Sequence, residues 1–394
     1  MRTLVSIDEH CYLFDDLYHL DDQGMILVER YLNVYDTIKL VVRVKKTDEL
    51  NTSRFKPLID NRVEIYPIDF FQGYRQYLTK YIFIEKKIKD VVKGCEMAIV
   101  RLPSTIGFQV LRAVRRNHLP HGIEIVANPK ELYRNSKSLF AKLFYYLYHL
   151  QQLKALKYAN AISYVTKYSL QQDYPVRNKK SFITYYSSVK VDNMYFCSPK
   201  SLNQDSGNEF VICHVAHPIK TLDKGHKILI DIVKDLNARG FKNVVAKFAG
   251  AGEYVPYFID YAEKIGVSDK ISFVGLLSTQ ELFNFLKTSD LMVFPTVSEG
   301  LPRVLIEAMA VGLPCLSTRV GGIPELLSPD LLFGPYDVAG FVNKIIEIMS
   351  SSDLYHTLSI QSCAKSKEYE DQLLQSRRNE FFNFIKSMTV VDKI

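Results

Sequence analysis

Between residues 209 and 350 short apolar runs alternate with longer amphipathic stretches, and this alternation restricts the fold more than any other feature. EFVICHVA (Glu209–Ala216), VVAKFAG, ISFVG, LMVFP and PCLST each have the length and composition of a buried strand. Between and after them lie KGHKILIDIVKDLNARG, stopped by Gly240, a helix near Val255–Ile265, TQELFNFLKT opened by Thr279, Pro302–Ala310 and Val338–Ser350. Strands separated by helices of that size predict a parallel sheet covered on both faces. In such sheets, ligands bind beyond the carboxyl ends of the strands.

The first half is less regular, with strands expected at RTLVSI, IKLVVRV, VEIYPI, MAIVRL, IEIVAN and AISYVT and helices between. It too reads as an α/β unit. A polar stretch, Ser188–Glu209, rich in Ser and Asn, separates the halves. With 394 residues, 47% of them hydrophobic, the chain can bury two cores. The expected division is residues 1–190, a connection over 191–208, a second domain over 209–375, and a C-terminal helix over 376–394 packing back toward the first.

The six cysteines are scattered without metal-ligand spacing, as in a reduced cytoplasmic protein. MRTLVSIDEH turns acidic at once, unlike a signal peptide, and no apolar run is long enough to span a bilayer. The net charge of +7 is unevenly spread: residues 1–190 hold 30 Lys/Arg against 19 Asp/Glu, residues 191–394 hold 20 against 24. A basic first half implies an anionic partner. Nucleic acid is disfavoured, because no helix-turn-helix, KH or RRM signature is present.

FPTVSEGLPRVLIEAMAVGLPCLSTRVGGIPELL (Phe294–Leu327) sets Glu299 and Glu307 eight positions apart in an apolar, glycine-punctuated run. Glu299 falls in the loop after a strand, and Pro302 suits the first position of the next helix. Glu307 follows inside that helix, between Val304-Leu305-Ile306 and Ala308-Met309-Ala310, where a solvent face is hard to find, so its carboxylate needs a partner. An ionised carboxyl only accepts hydrogen bonds, and two oxygens can grip two neighbouring hydroxyls, as on a sugar or ribose.

This pattern, Glu299-Gly-Leu-Pro to Glu307-Ala-Met-Ala-x-Gly-x-Pro followed by Gly321-Gly322-x-Pro-Glu325, resembles the E-x7-E signature of retaining glycosyltransferases of family 4. KGHKILI from Lys224, FAGAGE from Phe248, ISFVGLLSTQEL from Ile271 and SDLMVFPT from Ser289 fall in the family's order. The resemblance is specific over about 210–335 and mainly topological over 1–190. It implies a GT-B architecture, two Rossmann-like domains facing each other across a cleft, and a nucleotide-sugar donor, UDP-sugar favoured. Glu307 would hold the ribose hydroxyls and Glu299 those of the donor sugar. The backbone around Gly300, Leu301, Pro302 and Arg303 would lie near sugar and phosphate. Lys224 would meet the diphosphate, and the edge at Gly275 and Leu276 the base. No metal or other cofactor is expected, fixed cations and helix-start amides countering the leaving diphosphate.

The segment departs from the family before Lys224: HVAHPIKTLDKG lacks the usual second diphosphate arginine, with His217 or, preferably, Lys220 as a stand-in. SIDEHCYLF replaces a glycine-rich loop, and IEIVANP a middle-strand histidine. On the acceptor side the candidates are Glu124, Arg101 and His10, with Ser104 beside them. The resemblance together with the basic, aromatic first half implies a lipid-pyrophosphate-linked saccharide acceptor in capsule, O-antigen or exopolysaccharide synthesis. It also implies attachment to an anionic membrane surface from the cytoplasmic side. The stripe Leu139, Phe140, Leu143, Phe144, Leu147 and Leu150 either packs on its own sheet or serves that surface. The alternatives are a GT-B epimerase, a soluble-acceptor glycoside synthase, or a nucleotide-sugar-binding protein without turnover.

Overall fold

The computed structural model describes residues 1–52, 54–130, 138–202 and 209–391, the side chains of His10, Val390 and Val391 excepted. They form two compact units, Met1–Tyr186 with Ser376–Ile394, and Ser187–Gln375.

The first unit runs β1 (Arg2–Phe14), β2 (Leu17–Asp21), α1 (Asp22–Leu32), β3 (Thr37–Lys46), β4 (Phe55–Pro57), β5 (Val63–Asp69), α2 (Gly73–Ile88), β6 (Met97–Leu102) and α3 (Thr105–Arg116). β7 (His121–Ile125), α4 (Leu139–Leu156), β8 (Ala161–Tyr164), α5 (Ser169–Asp173) and β9 (Phe182–Tyr185) follow. The parallel strands lie in the order β5-β3-β1-β6-β7-β8-β9, a doubly wound arrangement. β1 does not stop at Ile7. It passes a register shift between Ser6 and His10, runs on to Phe14, and turns back into antiparallel β2. Asp15 and Asp16, at φ 47° and 57°, supply the left-handed turn that a tight hairpin needs. A hairpin therefore stands where the sequence lacked the family's glycine loop.

The second unit runs β10 (Phe210–Val215), α6 (His226–Ala238), β11 (Val244–Ala249), α7 (Val255–Lys264), β12 (Ile271–Gly275), α8 (Thr279–Lys287), β13 (Leu291–Phe294) and α9 (Arg303–Ala310). β14 (Cys315–Thr318), β15 (Leu332–Phe333), α10 (Val338–Met349), α11 (Ser352–Ser366) and α12 (Asp371–Val391) complete the chain. Its sheet is all parallel, in the order β12-β11-β10-β13-β14-β15. β13 and β14 are buried throughout, as expected of strands covered on both faces.

α8 opens at Thr279, as expected, with Ser278 before it as the cap in a reciprocal capping box with Glu281. Other boundaries shift from the sequence expectation. Pro302 is the cap of α9 rather than its first residue, so Arg303 takes the first helical position. The polar stretch before β10 packs within the second unit as far as residue 202: Tyr195 stacks on Phe283 at 3.8 Å, and the Cys197 N–H donates to the Ala310 carbonyl. Residues 203–208 lie outside the described part. From Ser376 onward α12 belongs to the first unit. There Phe381 and Ile385 fill the space over Gly122, and Phe382 packs 5.4 Å from Tyr31.

The α4 stripe resolves against packing on the sheet. Ala141, Gln152, Ala155 and Leu156 face inward, while Leu139, Phe140, Leu143, Leu147 and Leu150 are exposed.

Candidate functional site

In the second unit the loops at the carboxyl ends of β10, β13 and β14 are fastened to one another by backbone geometry. The Asp223 carbonyl accepts from the Val297 N–H at 2.9 Å and from the Thr296 hydroxyl at 3.1 Å. Gly225 has φ +85°, and a Cβ there would strike the Pro295 carbonyl, so only glycine allows so close an approach. On the other side the Gly322 N–H donates to the Gly300 carbonyl at 2.6 Å. Gly321, at φ +53°, lies against the Glu299 carbonyl oxygen, where a side chain would overlap it.

This bracing brings Lys224 and Glu299 into an ion pair, with both side chains part-buried. Lys224 stands two residues before the first residue of α6, and Glu299 in the loop leading to α9. Neither helix start is filled by a side chain: Gly225 and Pro302 cap α6 and α9 without a side-chain hydrogen bond. By contrast, Ser278, Asp337 and Ser351 cap α8, α10 and α11 with theirs. The amides left open at α6 and α9 carry the positive ends of the helix dipoles and favour an anion.

Glu307 lies one turn inside α9. Burial pushes its carboxyl above the usual range, Arg303 offsetting this in part. No hydrogen bond or ion pair engages it among the described residues. A carboxylate so placed has its acceptor capacity intact. Leu301 and Pro302 are buried, and Gly300 and Arg303 part-exposed. Gly275 (φ +79°) ends the edge strand β12, its carbonyl accepting from Gly250, and Leu276 beyond it is exposed. After β10 the His217 ring meets the backbone of Ala251 at 3.0 Å, whereas Lys220 is exposed and its side chain makes no hydrogen bond or ion pair among the described residues.

Beneath Lys224, a feature the sequence reading missed appears. His214 on β10 and His226 at the start of α6 are fully buried, their rings 4.5 Å apart within a shell of Phe248, Phe258 and Phe294. His214 Nδ1 meets the Val293 carbonyl at 2.9 Å, while its Nε2 and both His226 ring nitrogens are without partners. Burial lowers His214 to about 4 and His226 to about 2, so both stay neutral. A histidine inside an apolar strand run gave no signal beyond the residue letter.

In the first unit, Glu124 on β7 is buried with both oxygens engaged. Tyr31 donates to Oε2 at 2.6 Å and Tyr186 to Oε1 at 2.7 Å. Arg101 on β6 stands 3.6 Å away. Burial pulls the Arg101 guanidinium down, but Glu124 and Tyr31 outweigh it and hold it above its ordinary value. Ser104 caps α3 through the Gly107 N–H, and Asn128 is tied to Asp173 and Tyr174. His10 pairs in register with Arg43 on β3; its side chain lies outside the described part. Asp8, nearby on β1 and not singled out from the sequence, bonds Arg43 at 3.0 Å. Among the described residues no group of three His, Cys, Asp or Glu is placed to hold a metal ion.

Residues 202–363 match the family described as glycosyl transferases group 1. Along its length the chain is similar to Protein CapJ of Staphylococcus aureus, 26% identical over 382 residues that cover 96% of this chain and 90% of that protein. Among solved structures it is similar to sucrose-phosphate synthase from Thermosynechococcus elongatus, at TM-score 0.72 and 15% identity, covering 98% of this chain and 100% of that one. Anabaena HepE in complex with UDP and glucose gives a TM-score of 0.69 at 16% identity, covering 97% and 99%.

Proposed function

From the GT-B fold and the match of residues 202–363 to glycosyl transferases group 1, we propose that this chain moves a hexose or N-acetylhexosamine from a UDP-sugar to a hydroxyl of a lipid-pyrophosphate-linked saccharide, with retention at the anomeric carbon. The observation that carries the reading is the Lys224–Glu299 pair set between two uncapped helix starts, with the unpartnered Glu307 inside the second helix. Such a constellation offers what a nucleotide-sugar requires: cation and amides for the diphosphate, and carboxylates for vicinal hydroxyls.

Lys224 meets the diphosphate, and Lys220, exposed after β10 while His217 is occupied with Ala251, supplies the second cation. Glu299 holds the donor sugar, Glu307 the ribose, and the Gly275–Leu276 edge the base. As the bond from the anomeric carbon to the diphosphate oxygen breaks, negative charge grows on the leaving group, and fixed cations and amides lower that barrier. The acceptor oxygen bonds the anomeric carbon from the same face, its proton passing to the departing phosphate oxygen. No metal takes part. The acceptor belongs to capsule, O-antigen or exopolysaccharide assembly on the inner face of the plasma membrane. Arg101, Glu124 and His10 stand on its side of the reaction, the first two as the rigid support of the unit that binds it.

The test is incubation with UDP-, GDP- and ADP-sugars plus a membrane lipid extract, read by mass spectrometry. A hexose-mass increment on a lipid-linked species, dependent on UDP-sugar and lost in Glu299→Ala and Glu307→Ala, is expected. Turnover with a nucleotide-sugar but no acceptor, giving an isomerised sugar, would replace transfer with epimerisation.

A further inference from the structure

We propose that the outward faces of α2 and α4 form one continuous surface that docks on an anionic lipid bilayer, lying in its interface. The inference deepens the lipid-linked acceptor reading and rests on it for its purpose.

Both helices turn their inner faces to α3. Tyr77 and Tyr81 of α2 bond Gln109 and Arg112 there, and Tyr148 of α4 packs edge-on to Phe108 at 4.9 Å. Their outer faces carry large exposed apolar side chains among the polar ones. On α2, Leu78, Ile82 and Phe83 are exposed, and on α4, Leu139, Leu143 and Leu147, with Leu139 at 83% and Ile82 at 68%. The two stripes adjoin through Tyr74 on α2, whose ring lies 5.5 Å from Phe140 and 5.3 Å from Phe144 of α4. Contiguous apolar surface of this kind marks a contact site rather than ordinary solvent exposure.

Charge selects the occupant. α4 contains no acidic residue and α2 only Glu85, while Arg75, Lys86, Lys142 and Lys154 stand on the same helices without an ion pair among the described residues. A second copy of the chain would set these cations against one another with no carboxylates to meet them. A bilayer carrying anionic headgroups accepts both features together, the apolar stripes entering the acyl boundary and the cations meeting phosphate. No described helix is long and apolar enough to cross a membrane, so the contact is one of lying on it.

The experiment is co-sedimentation of the whole chain with phosphatidylcholine vesicles, with and without phosphatidylglycerol, for wild type, Leu143→Ser/Leu147→Ser and Arg75→Glu/Lys142→Glu. These side chains are exposed, so the variants fold, as circular dichroism melting will report. The wild type is expected to bind only the anionic vesicles. The affinity should fall about tenfold for each leucine removed and roughly fivefold or more for each cation reversed. Donor binding by the soluble protein, read as thermal stabilisation by UDP, should be equal in all three. Wild-type protein that leaves anionic vesicles unbound, or variants that bind as the wild type does, overturns the docking surface. So does a dimer in sedimentation velocity that the leucine variant breaks while wild type ignores vesicles. Vesicle binding with no response to any nucleotide leaves the surface standing and sinks the donor reading instead.

Discussion

Lys224 and Glu299, 75 positions apart in the chain, meet as an ion pair where the loops after β10 and β13 are tied together through Asp223. A part-buried lysine–glutamate pair of this kind contributes on the order of 1 kcal/mol of stability. On the proposed reading a ligand engages both partners. Lys224→Met should therefore leave the melting temperature nearly unchanged while lowering turnover by roughly 10²- to 10³-fold, the loss typical of one transition-state donor. Steady-state kinetics beside calorimetry checks this, and a variant with full turnover would remove Lys224 from the reaction.

Glu307 makes the opposite prediction about stability. Burial raises its folded-state pKa above the ordinary 4.5, so the unfolded chain releases this proton first as pH rises. Stability of the ligand-free protein should then decline from pH 4.5 up to the folded-state pKa, and Glu307→Gln should flatten that decline. The variant should be as stable as the wild type or more so near neutrality, yet bind UDP more weakly. Urea midpoints across pH, with UDP titrations, read both effects. A less stable variant would show that Glu307 holds the fold rather than a ligand.

The loop glycines carry a sharper test. At Gly321 an added methyl group would overlap the Glu299 carbonyl and demand an unfavourable φ of +53°. Gly321→Ala should displace the 299–300 loop and depress turnover at least tenfold. Gly240→Ala, also at positive φ but with open space around it, is the control. It should cost stability alone, on the order of 1 kcal/mol. Equal kinetic effects of the two substitutions would argue against the bracing of Glu299 by Gly321.

The second sheet was legible because its strands stand out as apolar runs between glycine and proline: LMVFP lies within one residue of β13, which is buried throughout, while ISFVG coincides with β12, an edge strand that the sequence expected to be buried and that is instead half-buried or exposed along its length. β2 and β4 escaped because short antiparallel segments such as LYHLD mix polar and apolar residues and borrow their order from β1. α4 shows a different limit. Periodicity located its stripe, but the same stripe serves a core or an open surface, and only its neighbours decide which. Contacts such as Lys224–Glu299 depend on two loops being fastened, which no local pattern encodes. His214 and His226 are separated by a loop and meet only through packing.

Those two histidines give the last prediction. Both rings are neutral and buried in the folded protein, near about 4 and about 2, whereas in the unfolded chain each titrates near 6.5. Their folded-state values are lowered, so below 6.5 the unfolded chain takes up protons that the native state refuses. Stability is thus full above 6.5 and is lost as pH falls, through about 4 for His214 and further for His226. Each ring contributes a slope of roughly 1 kcal/mol per pH unit in that window. His226→Phe should remove about half of this acid sensitivity, since a phenyl ring suits the surrounding Phe248 and Phe258. Chemical denaturation between pH 4 and 7 measures the slope. An unchanged slope in the variant would mean that His226 is solvated or paired in solution, and that the aromatic floor beneath Lys224 is more open than its packing implies.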